Sequence, residues 1–478
     1  MRGETTNVKA DLCVIGAGSA GLAVAAGAQQ MGARCVLVER GKMGGDCLNY
    51  GCVPSKALLA AGKAARFHHR ANGYGVHYAA PDVPFDEVHA HVHNVIARIA
   101  PNDSQERFEA LGVRVLRGQA AFTGPRELQV AGTRVKAKRF VLATGSTAAI
   151  PPIPGLDATP YLTNETVFDL TERPEHLIVI GGGPIGTELG QAFAHLGSRV
   201  SIVEMSRLLP ASDAQAADLL RARLKTEGVG VHETAQVTQV EREGNGVAVT
   251  LDGEAGSTRL TGSHLLVAAG RRPMLDGLGL DAAGIRHDAG RLVVDDRLRT
   301  TNRRVFAAGD VAGGPQFTHV AAYHASVVIK NALFRIPAKA DHSAVPAVTY
   351  TSPEIASVGL TSAQAKDRYG DGVQVLTWPF HENDRAQAER DTEGFVRAAT
   401  TAKGKILGCT IAGAHAGELI QPWVLAVQNG LKIGALAQMI APYPTLGEAS
   451  KRAAGAFYTP KLFAARTRRL VRALQLLG

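Results

Sequence analysis

No stretch of the 478 residues reaches the roughly 18 consecutive apolar residues that a membrane-spanning helix needs. The apolar amino-terminal stretch is broken by glycines, and no small-residue cleavage site follows a clean hydrophobic core. It therefore reads as a strand and not a secretory signal, and the chain is expected in the cytoplasm. Cysteine is sparse and odd in number, at five, which excludes a secreted disulfide framework and points to thiols with chemical roles. Acids are missing from Ala449 onward while Lys451, Arg452, Lys461, Arg466, Arg468, Arg469 and Arg472 follow, so the net charge of +9 is largely a property of the tail. There is no basic stripe with interleaved aromatics and no nucleic-acid-binding module, so no nucleic-acid partner is expected.

The chain is too long for one hydrophobic core, and its 53 glycines and 45% apolar residues suit an α/β protein of about two to four domains. One pattern occurs twice. ADLCVIGAGSAGLAVAAGAQQMGARCVLVER and EHLIVIGGGPIGTELGQAFAHLGSRVSIVEM each read as strand, glycine turn, helix, strand. Gly16, Gly18 and Gly21 form Gly-x-Gly-x-x-Gly in the first copy; Gly181, Gly183 and Gly186 form it in the second. Glu39 and Glu204 close the second strand of each. Glycines at this spacing let the backbone approach a pyrophosphate at a helix N-terminus, and the acid accepts from a ribose hydroxyl. Two dinucleotides are therefore expected, and Glu204 would repel a 2′-phosphate, which favours NAD(H) over NADP(H) despite nearby Arg207. From about Pro346 the glycine pattern ends and a third, α+β domain is expected.

Cys47 and Cys52 lie five apart in GGDCLNYGCVPSK, at what reads as a loop entering a helix, where thiolate is favoured. A zinc site would need further paired ligands that nothing supplies. Cys13, Cys35 and Cys409 sit in apolar strand-like runs and read as core. The cysteine motif, the two fingerprints and AAGD together resemble the pyridine nucleotide-disulfide oxidoreductase family over almost the whole chain, on its mercuric reductase-like and dihydrolipoamide dehydrogenase-like side.

That resemblance implies two Rossmann-type dinucleotide-binding domains plus a C-terminal α+β dimerisation domain, in a homodimer. Its segments would be 1–150 for the first part of the FAD-binding domain, 151–275 for NAD(H), 276–345 for the second part of the FAD domain, and 346–478 for dimerisation and the basic tail. It implies that Cys52 faces the flavin and Cys47 meets the acceptor. Lys56 would stand beside the flavin with Glu188 as its salt-bridge partner. FAD would be held by Gly16, Gly18, Ser19, Gly21, Glu39, Gly45, Lys56, Gly145, Asp310, His319 and Ala321. NAD would be held by Gly181, Gly183, Ile185, Gly186, Glu204 and Gly270. Electrons would pass from NADH to FAD, to a Cys47–Cys52 disulfide, and on to a small-molecule, disulfide or metal acceptor.

The chain departs from the family in its C-terminal domain. Disulfide-reducing members carry His-Pro-x-x-x-Glu, whose histidine is the base for the interchange thiol; here the stretch runs Tyr443-Pro444-Thr445-Leu446-Gly447-Glu448. A phenol titrates near ~10 and an imidazole near ~6.5, so Tyr443 cannot shuttle protons at neutral pH as histidine does. A tyrosine here resembles mercuric reductases, yet the vicinal C-terminal cysteine pair is missing too. Dihydrolipoamide dehydrogenase remains an alternative, and so does a flavin-bearing docking protein that uses the basic tail. His89 and His93 fall on one helix face without a third metal ligand, so no metal site is expected. Leu470, Leu474 and Leu477 at helical spacing among arginines suit an anionic membrane surface or a partner; packing on its own domain is the favoured reading.

Overall fold

A computed structural model describes residues 6–254 and 256–476, which form two compact units. One contains the residues up to His68, Tyr78–Met205 and Thr234–His342. The other contains His69–His77, Ser206–Glu233 and the chain from Ser343. The fold is mixed α/β, as the repeated pattern predicts.

In the first unit, strand Thr6–Ile15 pairs in parallel with Cys35–Glu39 on one side and Thr133–Leu142 on the other, and Cys35–Glu39 pairs onward with Arg114–Arg117. The register sets Ile15 opposite both Val38 and Leu142, so these strands end together beside the first glycine turn. Both faces of the sheet are covered, which is why the strands are apolar runs and do not alternate. Leu12, Val14, Leu37 and Val141 pack on one face, and Cys13, Ile15, Val36 and Phe140 on the other. Each such side chain removed from water is worth about 1.5–3 kcal/mol. The second fingerprint repeats the arrangement, with His176–Ile180 between parallel Arg199–Val203 and His264–Val267. An antiparallel sheet of Gln236–Glu243, Gly246–Gly253 and Gly256–Gly262 accompanies it.

The second unit holds a five-stranded antiparallel sheet in the order Pro346–Thr349, Glu354–Gly359, Ile406–Gly413, Phe395–Thr401, Val373–Pro379. Trp423 is fully buried beneath it, and its indole N–H donates to Ser450 Oγ at 3.0 Å. Cys13, Cys35 and Cys409 are buried, and burial pushes their thiols up, Cys35 to about 12, which makes them inert. Among the described residues no helix is long and apolar enough to cross a membrane.

The tail forms helix Ala465–Leu474, and none of its residues is buried. The expected packing on its own domain is absent: the helix carries four arginines, and its leucines stand in water. Leu477 lies outside the described residues.

Candidate functional site

The two glycine turns have one geometry. Gly16 and Gly181 adopt φ of +106° and +111°, and a Cβ on Gly21 or Gly186 would stand 1.8 or 1.9 Å from the carbonyl oxygen of Gly16 or Gly181. Only glycine lets the helix start this close to the strand end. Ser19–Gln30 and Pro184–His195 follow, capped by Gly18 and Gly183, so unpaired amides face outward at each start. Glu39 Oε2 accepts from the Ala17 N–H at 2.6 Å, and Glu204 Oε2 from the Gly182 N–H at 2.7 Å. Each acid is thereby held at the edge of its turn. Ile185 is half-buried in the second helix, and Gly145 and Gly270 have positive φ with open space where a Cβ would stand.

The cysteine loop is tied to the first turn. The Gly44 N–H donates to the Ala17 carbonyl at 2.9 Å, and a Cβ on Gly45 would lie 2.7 Å from Gly18 Cα. Two bare backbones meeting over a helix N-terminus form a cradle that fits the diphosphate of a dinucleotide such as FAD. Cys47 lies in helix Gly45–Asn49 and Cys52 opens helix Cys52–Ala71; both are free thiols. They are hydrogen-bonded to each other, and Cys52 Sγ also lies 3.3 Å from Thr318 Oγ1. The pair titrates unequally. The Cys47 S–H donated to Cys52 lowers Cys52 to about 6, against burial and with help from Thr318 and the Lys56 ammonium. The same bond, together with burial, raises Cys47. Cys52 is thus the thiolate at neutral pH and Cys47 the thiol.

Lys56 stands one turn along that helix, and its Nζ is 2.7 Å from Glu188 Oε2, in the helix of the second fingerprint. Glu188 is buried. Asp310 accepts from Ser146 Oγ at 2.5 Å, after AAG in a turn that opens with Gly309. Ala321 is buried in helix Thr318–Ile329, and His319 is exposed and stacks on Phe317.

Further residues, not singled out by sequence, complete the site. Arg271, mostly buried, pairs with Asp46 at 3.2 Å, lies 3.9 Å from Asp310, and donates to Ser146 Oγ at 2.7 Å. Asn164 donates to Asp46 Oδ1 at 2.9 Å and to the Tyr50 carbonyl at 3.2 Å. Burial raises the Asp46 carboxyl and Arg271 opposes the shift. Behind the Asp310 turn, buried His324 accepts the Gly309 N–H at Nδ1 (3.2 Å) and meets His342 Nε2 through its own Nε2 at 2.7 Å. Burial, and then His342, lowers His324 to about 4. The adjacency of Asp46 to Cys47 and of Arg271 to Gly270 was the only sequence signal for any of these.

Tyr443 and Glu448 belong to the second unit. Tyr443 is exposed, and its hydroxyl donates to Asp384 Oδ2 at 2.9 Å, an acceptor that raises the phenol above its ordinary value. Glu448 pairs with Arg452 at 2.9 Å. Arg207, in this unit, donates to the Ser212 carbonyl at 3.0 Å. In the first unit His89 and His93 rings are 4.2 Å apart, and His93 reaches the Phe168 carbonyl at 3.1 Å. Among the described residues no group of three or more His, Cys, Asp or Glu could hold a metal ion.

The family model described as pyridine nucleotide-disulphide oxidoreductase matches residues 10–325, and that of its dimerisation domain matches 345–454. A mercuric reductase of Streptomyces lividans is 39% identical over 455 residues, covering 94% of this chain and 96% of its own length. A dihydrolipoyl dehydrogenase of Thermus scotoductus is 37% identical over 465 residues, covering 94% and 97%. Among solved structures, the Cu(II) complex of the HOCl-induced flavoprotein disulfide reductase RclA from Escherichia coli aligns with a TM-score of 0.84 at 28% identity, covering 94% of this chain and 99% of that one.

Proposed function

The chain belongs to the pyridine nucleotide-disulphide oxidoreductase family, whose enzymes use FAD and NAD(P)H, and its dimerisation domain supports a homodimer. From that premise we propose that it carries electrons from NADH to the Cys47 and Cys52 pair and from there to a thiol-bound soft metal ion or a disulfide. Bound FAD supplies the hydride and electron chemistry between nicotinamide and sulfur. The first glycine turn, Glu39, Gly45, Lys56, Gly145, Asp310, His319 and Ala321 would hold it; the second turn, Ile185, Glu204 and Gly270 would hold NAD.

The chain's own side chains divide the remaining work. Cys52, kept ionised, would be the thiol toward the flavin, and Cys47 the one that meets the acceptor. Lys56, held by Glu188, places positive charge where negative charge develops during reduction. With a disulfide acceptor, Cys47 attacks one sulfur as its proton is lost and Cys52 then closes the Cys47–Cys52 bond; the acceptor leaves as two thiols, having gained two electrons, the Cys47 proton and one proton from water. With a metal ion, both sulfurs bind as thiolates, releasing the Cys47 proton; Hg(II) takes up both electrons that one NADH supplies, whereas Cu(II) takes up one, so one NADH reduces two copper ions.

One observation separates the acceptors. The Tyr443 hydroxyl donates a hydrogen bond to Asp384 and titrates above the ordinary phenol value, so at neutral pH it offers no base to take the proton of the Cys47 thiol. Metal reduction does not need that base, and metals appear in the names of two relatives, a mercuric reductase and a Cu(II) complex. Steady-state NADH oxidation with Hg(II), Cu(II), oxidised glutathione and lipoamide tests the proposal. Metal-dependent turnover well above that with either disulfide is expected. Rapid lipoamide turnover would instead establish the dihydrolipoyl dehydrogenase alternative.

A further inference from the structure

We propose that the C-terminal helix Ala465–Leu474 docks the enzyme on an anionic lipid surface. The matched dimerisation domain ends at residue 454, so this helix lies beyond the part of the chain that the family model covers. Leu470, Val471 and Leu474 are 58%, 47% and 56% exposed, with Leu462 and Phe463 exposed just before the helix and Leu476 just after it. At about 100° per residue, Leu470, Leu474 and Val471 fall within an arc of about 100°, while Arg468, Arg469 and Arg472 occupy the opposite face and Arg466 borders the apolar one. None of the four arginines has an ion-pair partner among the described residues, and from Ala449 to the end there is no acid.

Two unpartnered faces of opposite character narrow the choice of occupant. A second copy of the helix would cover the leucines but set arginines of like charge against each other. A nucleic acid would neutralise the arginines and leave the leucines in water. The headgroup boundary of an anionic bilayer answers both at once: leucines enter the acyl region while arginines lie among lipid phosphates, Arg466 reaching up along its aliphatic stem.

The test is flotation of the purified, flavin-loaded, full-length enzyme with vesicles of phosphatidylcholine alone or mixed with phosphatidylglycerol, at low and high salt. Binding to the mixed vesicles that weakens with salt is expected. Replacing Arg468, Arg469 and Arg472 together by alanine should weaken it about 100-fold, taking about fivefold per arginine. The Leu470→Ser/Leu474→Ser double variant should weaken it at least about tenfold with charge unchanged. NADH oxidation in solution should stay at the wild-type rate in both, which shows that they fold. Equal binding to neutral vesicles, no binding to anionic ones, or full binding by the leucine variant would overturn the proposal. Tail-dependent binding of duplex DNA that survives the leucine substitutions, or leucine-dependent self-association without vesicles, would assign the helix to another occupant and overturn it as well.

Discussion

Replacing Cys47 by alanine should move the ionisation of Cys52, and the size of the move follows from what surrounds its sulfur. The hydrogen bond from Cys47 is the largest influence holding Cys52 at about 6; Thr318 and Lys56 add to it, and burial works against it. At pH 7 about nine-tenths of Cys52 is then thiolate. Without the Cys47 S–H, Cys52 should rise toward the ordinary thiol value of ~8.5, where about 3% is ionised at pH 7. A less acidic thiolate is intrinsically more nucleophilic, by about tenfold over 2.5 units at a Brønsted slope near 0.45, so alkylation at pH 7 should slow only about threefold. The inflection of the pH profile is therefore the quantity to follow. Iodoacetamide alkylation of the dithiol enzyme between pH 5 and 10 should inflect near 6 in wild type and about two units higher in Cys47→Ala, with Cys47→Ser, which keeps an O–H donor, in between. Buried Cys13, Cys35 and Cys409 do not interfere. An inflection that stays near 6 in Cys47→Ala would show that Lys56 or Thr318, and not the partner thiol, sets the acidity of Cys52.

Other outcomes follow from the same structure. Anaerobic NADH titration of wild type should produce a long-wavelength absorption band that Cys52→Ala lacks, and its absence from wild type would refute the flavin-facing role of that thiol. The ratio of kcat/KM for NADH to that for NADPH should exceed one and fall in Glu204→Ala; a wild-type preference for NADPH would refute the assignment. His324 is buried with its folded value lowered to about 4 against 6.5, so its neutral form stabilises the fold above pH 6.5 and that contribution is lost as pH falls through 4. The loss is on the order of 3 kcal/mol, and His324→Leu should flatten the acid side of a denaturant-midpoint profile between pH 6.5 and 4 while lowering the midpoint at neutral pH. Ser450→Ala strands the buried Trp423 indole N–H and should cost about 1–3 kcal/mol, read as a lower Tm.

What could be read from the residues and what could not are separated by sequence distance. The first fingerprint is a local object: Gly16 and Gly21 touch because they are five apart, and Glu39 returns to the same turn after one helix. Cys47 and Cys52 are legible for the same reason. The pairing of Lys56 with Glu188 came only through the family resemblance, since the two are 132 residues apart in the chain. Asp46, Asn164 and Arg271 carry no local pattern at all; polar residues scattered over three segments look like ordinary surface until the strands bring them together beside Asp310, which AAGD marks. The tail was misjudged in the opposite direction. Its leucine spacing is that of a helix packed on a domain, but spacing cannot tell whether a surface is waiting for it.

Arg271 is a counterion with two creditors. It serves Asp46, next to Cys47, and lies near Asp310, in the turn that follows AAG, while also anchoring the Ser146 hydroxyl that Asp310 accepts from. A substitution that neutralised Asp46 would leave the cation to Asp310 alone and alter the Gly309–Ala312 turn without touching it. Positions 46 and 310 are thus joined through one cation, and the effects of replacing Asp46 and Asp310 are expected not to add.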